Sequence, residues 1–330
     1  MSLRKHFLIS LAFLFLSSQL QNCIIGPGAF GASKPNFEEK LISGKGKDKI
    51  LLIPIEGVIS DESREATLFG GGRESLVATV KESLKFAERD KQIKGIILKI
   101  NSPGGTVTAS DIIYEEIDRF RKKTGIPVFS IFMDTAASGA YYIAMATDFL
   151  GAHPTTVTGS VGVIMQNVNV KEGLDKLGIK DQSYTSGPNK ALGSPLIETS
   201  PEQKRILQSI VDNLFDRFFK VVKKGRPNVP ESRLKEICDG RIFTAEQAKK
   251  EGMVDAIGYF DDFVLQMTLH PKYQGDRTDS PRIIIYQRGS TRLENVYMAN
   301  EPNNNPSTLT SIEGWISPKS SARFFYLWDI

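Results

Sequence analysis

The sequence predicts a single-domain α/β fold built of parallel βαβ units. Short apolar runs rich in β-branched residues recur at 50–58, 95–101, 127–132 and 161–165, as buried strands do. Helical patterns lie between or after them at 76–89, 107–123 and 138–146, and such alternation argues for crossover connections around one sheet. The span 47–270 that holds them is of a size that one core can serve.

Along the chain, Arg4-Lys5 precede Phe7–Leu16, which is apolar except for Ser10. A basic start and an apolar core of roughly ten residues read as a secretory signal over 1–22, too short for a membrane span of ~20 residues. The protein is therefore expected to act outside the cytoplasm. Cys23 falls where a bacterial lipoprotein carries its lipidated cysteine. Leu20 suits that pattern, whereas Asn22 replaces the usual small residue. Ordinary cleavage nearby, or retention as a short anchor, are the rivals to lipidation. Residues 23–46, rich in Gly, Lys and Pro, read as a tether.

Further on, Ile206, Ile210, Leu214, Phe218 and Val222 recur every four residues, one face of a long helix suited to packing on a neighbour. Cys238 lies in an amphipathic segment and reads as a buried small residue. The C-terminal extension 271–330 opens with one more strand at 281–286. Its last part, 299–330, holds Asn303-Asn304-Asn305 and several Ser, Thr and Pro, and reads as a mostly unstructured tail.

The chemistry gathers at four short segments. Ser138 stands in Asp134-Thr-Ala-Ala-Ser-Gly-Ala-Tyr-Tyr142, small residues opening into an apolar helix. A serine hydroxyl needs a base beside it to act as a nucleophile. The chain has three histidines: His6 is in the signal, His270 opens the polar extension, and His153 reads as a structural residue at a strand end. A lysine is the better base, provided its surroundings remove the proton, since roughly one ordinary lysine in 2,500 is neutral at pH 7. Lys190 stands in Ser186-Gly-Pro-Asn-Lys-Ala-Leu-Gly-Ser-Pro195, and residues 182–197 contain no Asp or Glu. The strand at 95–101 ends in Ser102-Pro-Gly-Gly105, where paired glycines leave backbone N–H groups approachable. The N–H groups of Gly105 and of Gly139, just after Ser138, would make a two-donor oxyanion hole. In Thr158-Gly-Ser160-Val-Gly-Val163, the Ser160 hydroxyl is placed to hold the lysine amine.

These segments, in this order and spacing, resemble the signal peptide peptidase A family in its short single-domain form. The likeness extends through Asp239-Gly-Arg-Ile-Phe-Thr244 and Gly252-Met-Val-Asp-Ala-Ile-Gly258. It implies a serine peptidase with Ser138 as nucleophile, Lys190 as general base, Ser160 orienting the lysine and Gly105 as an oxyanion donor. It also implies the Clp protease/crotonase-like fold of stacked ββα units, peptide substrates that include remnant signal peptides, and a place at the extracytoplasmic face of the cell membrane. In the fused form of the family, serine and lysine come from different halves of one chain. A chain with one copy of each motif is expected to form a homo-oligomeric ring with shared sites. Ala140 replaces a usual second glycine, and Ala191 a usual polar or acidic residue.

No cofactor or metal is implied, because histidine is scarce and Cys23 and Cys238 are the only cysteines. The net charge of +4 falls to +2 without Arg4 and Lys5 and gives no reason to expect nucleic acid. The competing readings are a related membrane-bound Ser-Lys protease with a protein substrate, a crotonase-like acyl-CoA enzyme, and a non-catalytic scaffold.

Overall fold

The computed structural model describes residues 37–63, 75–288, 295 and 324–328. The signal segment, Cys23 and most of the tether lie outside them. By contact the chain forms two units; residues 37–38 and 287–288 belong to the smaller, and the site lies wholly in the larger, Glu39–Tyr286 with 324–328.

The strands are β1 (Phe37–Ser43), β2 (Lys49–Glu56), β3 (Ile93–Ser102), β4 (Gly104–Thr106), β5 (Val128–Ala137), β6 (Phe149–Ala152), β7 (Val157–Gly159), β8 (Ile242–Thr244), β9 (Ala256–Ile257), β10 (Arg282–Arg288) and β11 (Phe325–Leu327). Seven of them run β1-β10-β2-β3-β5-β6-β9 across the main sheet, while β7 pairs with β5 and β8, and β4 pairs separately with β11. The pairs β10–β2, β2–β3, β3–β5, β5–β6, β5–β7 and β6–β9 are parallel. Parallel sheets need cover on both faces, and β2 and β3 are accordingly buried almost throughout. Two buried lysines in these strands are paired, Lys99 with Glu56 of β2 at 2.9 Å and Lys49 with Asp90, just before β3, at 2.7 Å.

The helices are α1 (Leu76–Ala87), α2 (Val107–Thr124), α3 (Gly139–Ala144), α4 (Lys171–Lys176), α5 (Pro201–Gly225), α6 (Glu231–Ile237), α7 (Ala245–Lys250) and α8 (Phe260–Leu269). Their ends follow local chemistry. Thr106 caps α2 by accepting from the Ala109 N–H, and Gly125 ends it in the left-handed region at φ 71°. Ser200 and Gln203 form a capping box at the start of α5, with Pro201 at its first position.

The mixed α/β architecture with a mostly parallel sheet agrees with the sequence, and the structure differs from it in three places. Residues 161–165 form no strand, because Gly159 and Ser160 take positive φ (97° and 51°) and turn the chain out of the sheet; only Ile164 makes an isolated bridge, to Phe325. Residues 37–43, within the tether as read, form β1. Residues 325–327, within the tail read as mostly unstructured, form β11, and Tyr326 is fully buried. Its partner β4 lies more than 200 residues earlier, so no local pattern reports the pairing.

Charged groups tie α5 to α2. Asp118 on α2 is almost wholly buried and bonded to Arg121, Lys122 and Lys224. Burial alone would raise its carboxyl pKa, but the bonds and charges of Lys122 and Lys224 outweigh it and hold the group below the usual carboxylate value. A depressed folded-state pKa contributes stability that is present at neutral pH and lost as pH falls below about 4. Asp118→Asn is expected to cost about 1–3 kcal/mol at pH 7 and to flatten the loss of melting temperature between neutral and acid pH. An unchanged acid slope in thermal denaturation would remove Asp118 from this role.

Candidate active site

β5 forks. Its first half pairs with β6 through Phe129–Phe132, and its end pairs with β7 through Thr135–Ala137. Ser138 is the next residue, at the junction of β5 and α3. Its N–H donates to the Gly159 carbonyl at 2.8 Å, and its own carbonyl accepts the first helical bond, from Tyr142 N–H at 2.9 Å. Between these anchors the residue takes φ 53° and ψ −114°. A side chain rarely adopts such a backbone, which costs on the order of 1–3 kcal/mol. The Ser138 hydroxyl is buried and has no hydrogen-bond partner among the described residues. An unpaired buried hydroxyl is itself unfavourable, so strain and desolvation meet at one residue.

The glycine turn lies beside it. The Ser102 hydroxyl accepts the Gly104 N–H at 3.1 Å, shaping the step from β3 to β4. On one side of β4, Ile59 donates to the Gly104 carbonyl at 2.8 Å and accepts the Thr106 N–H at 2.9 Å. By the alternation of an extended strand, the Gly105 N–H points to the other side. No side chain fits at Gly105, because a Cβ there would stand 1.9 Å from the Ile59 carbonyl oxygen. A Cβ on Gly139 would stand 3.2 Å from the Gly105 nitrogen, 2.4 Å from Ser110 Oγ and 3.1 Å from the Tyr326 carbonyl oxygen. Gly105, Gly139 and Ser138 are thus brought together, with the Tyr326 carbonyl among them. Such a cluster can receive a peptide carbonyl and stabilise charge on its oxygen.

Ser160 joins this cluster through its neighbour, since Gly159 holds the Ser138 N–H. Its residue is buried, at φ 51°. Lys190 does not join it within one chain. It lies in a turn at 188–193, its N–H donating to the Gly187 carbonyl at 3.1 Å, and it is exposed. The burial expected of a lysine base is therefore absent from the single chain. The segment that carries Lys190 also presents Val168, Val170, Leu177, Ile179, Tyr184 and Leu196 to solvent, Tyr184 at 100%, and α4 buries no residue.

The other residues weighed from sequence have structural places. His153 follows β6, its Nδ1 2.8 Å from Thr155 Oγ1. Cys238 is buried, and that burial pushes its thiol up to about 12. Among the described residues no cluster of His, Cys, Asp or Glu could hold a metal ion, and no helix is long and apolar enough to cross a membrane. Sequence reasoning missed Tyr326, Ser110 and the Tyr142–Asp111–Arg217 network. The aromatic run Phe324–Tyr326 with Trp328, in an otherwise polar tail, was the available signal for the first.

Comparison with known proteins places this geometry. The model of peptidase family S49 matches residues 120–273, and that of Clp protease matches residues 61–154. A candidate signal peptide peptidase SppA of Enterococcus faecium is 36% identical over 272 residues, covering 82% of this chain and 76% of that protein. A candidate protease of Synechocystis is 36% identical over 216 residues, 66% of this chain and 72% of that protein. Protease 4 of Salmonella typhi is 32% identical over 74% of this chain, which matches 39% of its length. Extensive identity to such relatives, on a mostly parallel α/β sheet that positions a serine at a strand-to-helix turn, makes the chain a serine peptidase belonging to family S49.

Proposed function

We propose that Ser138 is the nucleophile of this peptidase, Lys190 its general base, and Gly105 and Gly139 the N–H donors of its oxyanion hole. The observation that carries the reading is the Ser138 hydroxyl itself, buried, unpartnered and held on a strained turn beside two glycine N–H groups. Ser138 Oγ attacks the scissile carbonyl and passes its proton to the lysine amine. The N–H pair stabilises the oxyanion. The lysine then protonates the leaving amine, and water hydrolyses the acyl-enzyme by the reverse route. Ser160 orients the lysine. The substrates are extended peptides, remnant signal peptides among them, as the names of the relatives suggest. A related protein-specific protease would use the same dyad, and substrate profiling separates the two. The basic and apolar start of the chain supports action at the extracytoplasmic face of the membrane, with Cys23 as a lipid anchor.

The lysine comes from a second copy of the chain. Lys190 lacks any ion pair or side-chain hydrogen bond among the described residues, and Ser138 lacks a base. The exposed apolar side chains around Lys190 supply a surface that a neighbour would cover, and a heterologous contact whose rotation closes would make a ring.

Fluorophosphonate labelling is expected to modify Ser138. Ser138→Ala and Ser138→Gly should both abolish peptide hydrolysis, but with different stabilities. Glycine relieves the positive φ, so Ser138→Gly should be the more stable by about 1 kcal/mol, strain relief less the added freedom of the unfolded chain. Retained hydrolysis in Ser138→Ala would sink the nucleophile assignment.

Lys190→Arg should be as inactive as Lys190→Ala, because arginine stays protonated. Ser160→Ala should lose less than either dyad variant. Co-expressing Ser138→Ala with Lys190→Ala chains tests the sharing. Random mixing leaves roughly a quarter of shared sites intact in a closed ring, so activity should return. Background activity in confirmed mixed assemblies would rule sharing out.

A further inference from the structure

β5 is irregular where it changes partner. Against β3, Ile100 pairs with Phe132 and Ser102 with Ala136, so two steps along β3 face four along β5. The ladder is interrupted over Met133–Thr135, and an interruption of this kind leaves backbone groups that need partners elsewhere. Side chains supply them. The Asn101 amide oxygen accepts the Thr135 N–H at 3.1 Å. The Thr156 hydroxyl shares its proton between the Phe132 carbonyl, at 3.0 Å, and the Met133 carbonyl. The Thr158 hydroxyl donates to the Ala136 carbonyl at 2.6 Å.

Thr158 differs from the other two. Asn101 is exposed, and Thr156 acts five and six residues before Ser138. Thr158 is fully buried, at a position where valine would have the same shape. A buried hydroxyl is unfavourable unless bonded, and its β-branched stem makes it a stiff donor. The carbonyl it holds lies two residues before Ser138, while the carbonyl of the next residue, Gly159, accepts the Ser138 N–H at 2.8 Å. Thr158 and Gly159 thus grip the chain on both sides of Ala137, the last residue before the strained turn. By the register of a parallel ladder, the Ala136 carbonyl also faces the Gly159 N–H. Removing the hydroxyl would therefore free the direction of that carbonyl without leaving it unpaired.

We propose that Thr158 is a positioning residue of the reaction, its hydroxyl fixing, through the Ala136 carbonyl, the peptide from which Ser138 projects. It thereby sets the approach of Ser138 Oγ to a substrate carbonyl held at Gly105 and Gly139. The proposal rests on the peptidase reading of Ser138. Attack is steeply sensitive to alignment, a misplacement of about 1 Å costing on the order of 100-fold. Thr158 offers no surface to substrate and no group to the base, so its loss falls on the chemical step alone.

The test is made in the full-length chain, with fluorescein-labelled casein as substrate and a fluorophosphonate as probe of Ser138. Thr158→Val keeps the shape and removes the hydroxyl, whereas Thr158→Ser keeps the hydroxyl and removes a methyl. Packing alone would rank valine above serine; positioning ranks serine above valine. Thr158→Val is expected to lower kcat and the labelling rate roughly tenfold, with KM within about twofold and the pH profile unmoved. Thr158→Ser is expected to keep roughly half the activity or more. Labelling carried to completion should reach the same fraction in every variant, which separates slow chemistry from a folding defect. Should Thr158→Val fail to fold, Thr158→Ala against Thr158→Ser makes the same comparison. Thr156→Val removes a hydroxyl from the same edge and should lower the melting temperature while holding kcat within about threefold. An unchanged kcat in Thr158→Val, valine outperforming serine, or an equal loss in Thr156→Val would overturn the proposal. So would a shifted pH profile, which would move the effect to Ser160 and the lysine. If Ser138→Ala still abolishes hydrolysis in those cases, the peptidase reading stands without it. Hydrolysis that survives Ser138→Ala removes both.

Discussion

Halfway along β5 the sheet changes partner, from β6 at Phe129–Phe132 to β7 at Thr135–Ala137, and the site hangs on that exchange. The second partner brings Gly159 to the Ser138 N–H. With its N–H held there and its carbonyl committed to the first turn of α3, Ser138 has one backbone conformation open to it, at positive φ. The strain is maintained because the sheet on one side and the helix on the other over-determine it. Relaxing the turn would break a strand pairing or a helix start.

The same economy governs the glycine turn. One strand, β4, serves two neighbours through its alternating N–H groups. Ile59 takes the outer bonds, which fixes the strand against the core, and the remaining N–H of Gly105 faces the cleft. Glycine is required there by contact rather than by φ, since the Ile59 carbonyl occupies the place of a side chain. Rigid donors aimed at a fixed point are what make an oxyanion hole effective, because they need no reorganisation as charge develops.

Electrostatics and packing divide the labour around this centre. Asp118 and Asp111 fasten α5 to α2 and α3 through Lys224, Arg217 and Tyr142. That fastening sets Phe218 opposite Tyr142 at 5.0 Å and so forms the walls around Tyr326. By contrast, the segment bearing Lys190 has few burying contacts. The chain thus holds Ser138 and the glycine turn beside it firmly and leaves Lys190 exposed.

The sequence by itself determined the strands and helices whose periodicity is local, and with them the parallel α/β class. The apolar runs at 50–58 and 95–101 became β2 and β3, and the four-residue recurrence at Ile206–Val222 became α5, because burial on both faces or along one stripe leaves its mark in neighbouring residues. The segments that carry Ser138, Gly105 and Gly139 were also singled out by residue type and order, and the fold brings these residues together. Tertiary structure alone decided the rest. Positive φ at Gly159 and Ser160 ended the strand expected at 161–165, a backbone event that hydropathy does not register. Tyr326 entered the site by pairing with a strand more than 200 residues away, and only that closure, which no local pattern encodes, turned an aromatic run in a polar tail into a buried element. Whether Lys190 meets a serine depends on surfaces that one chain leaves uncovered.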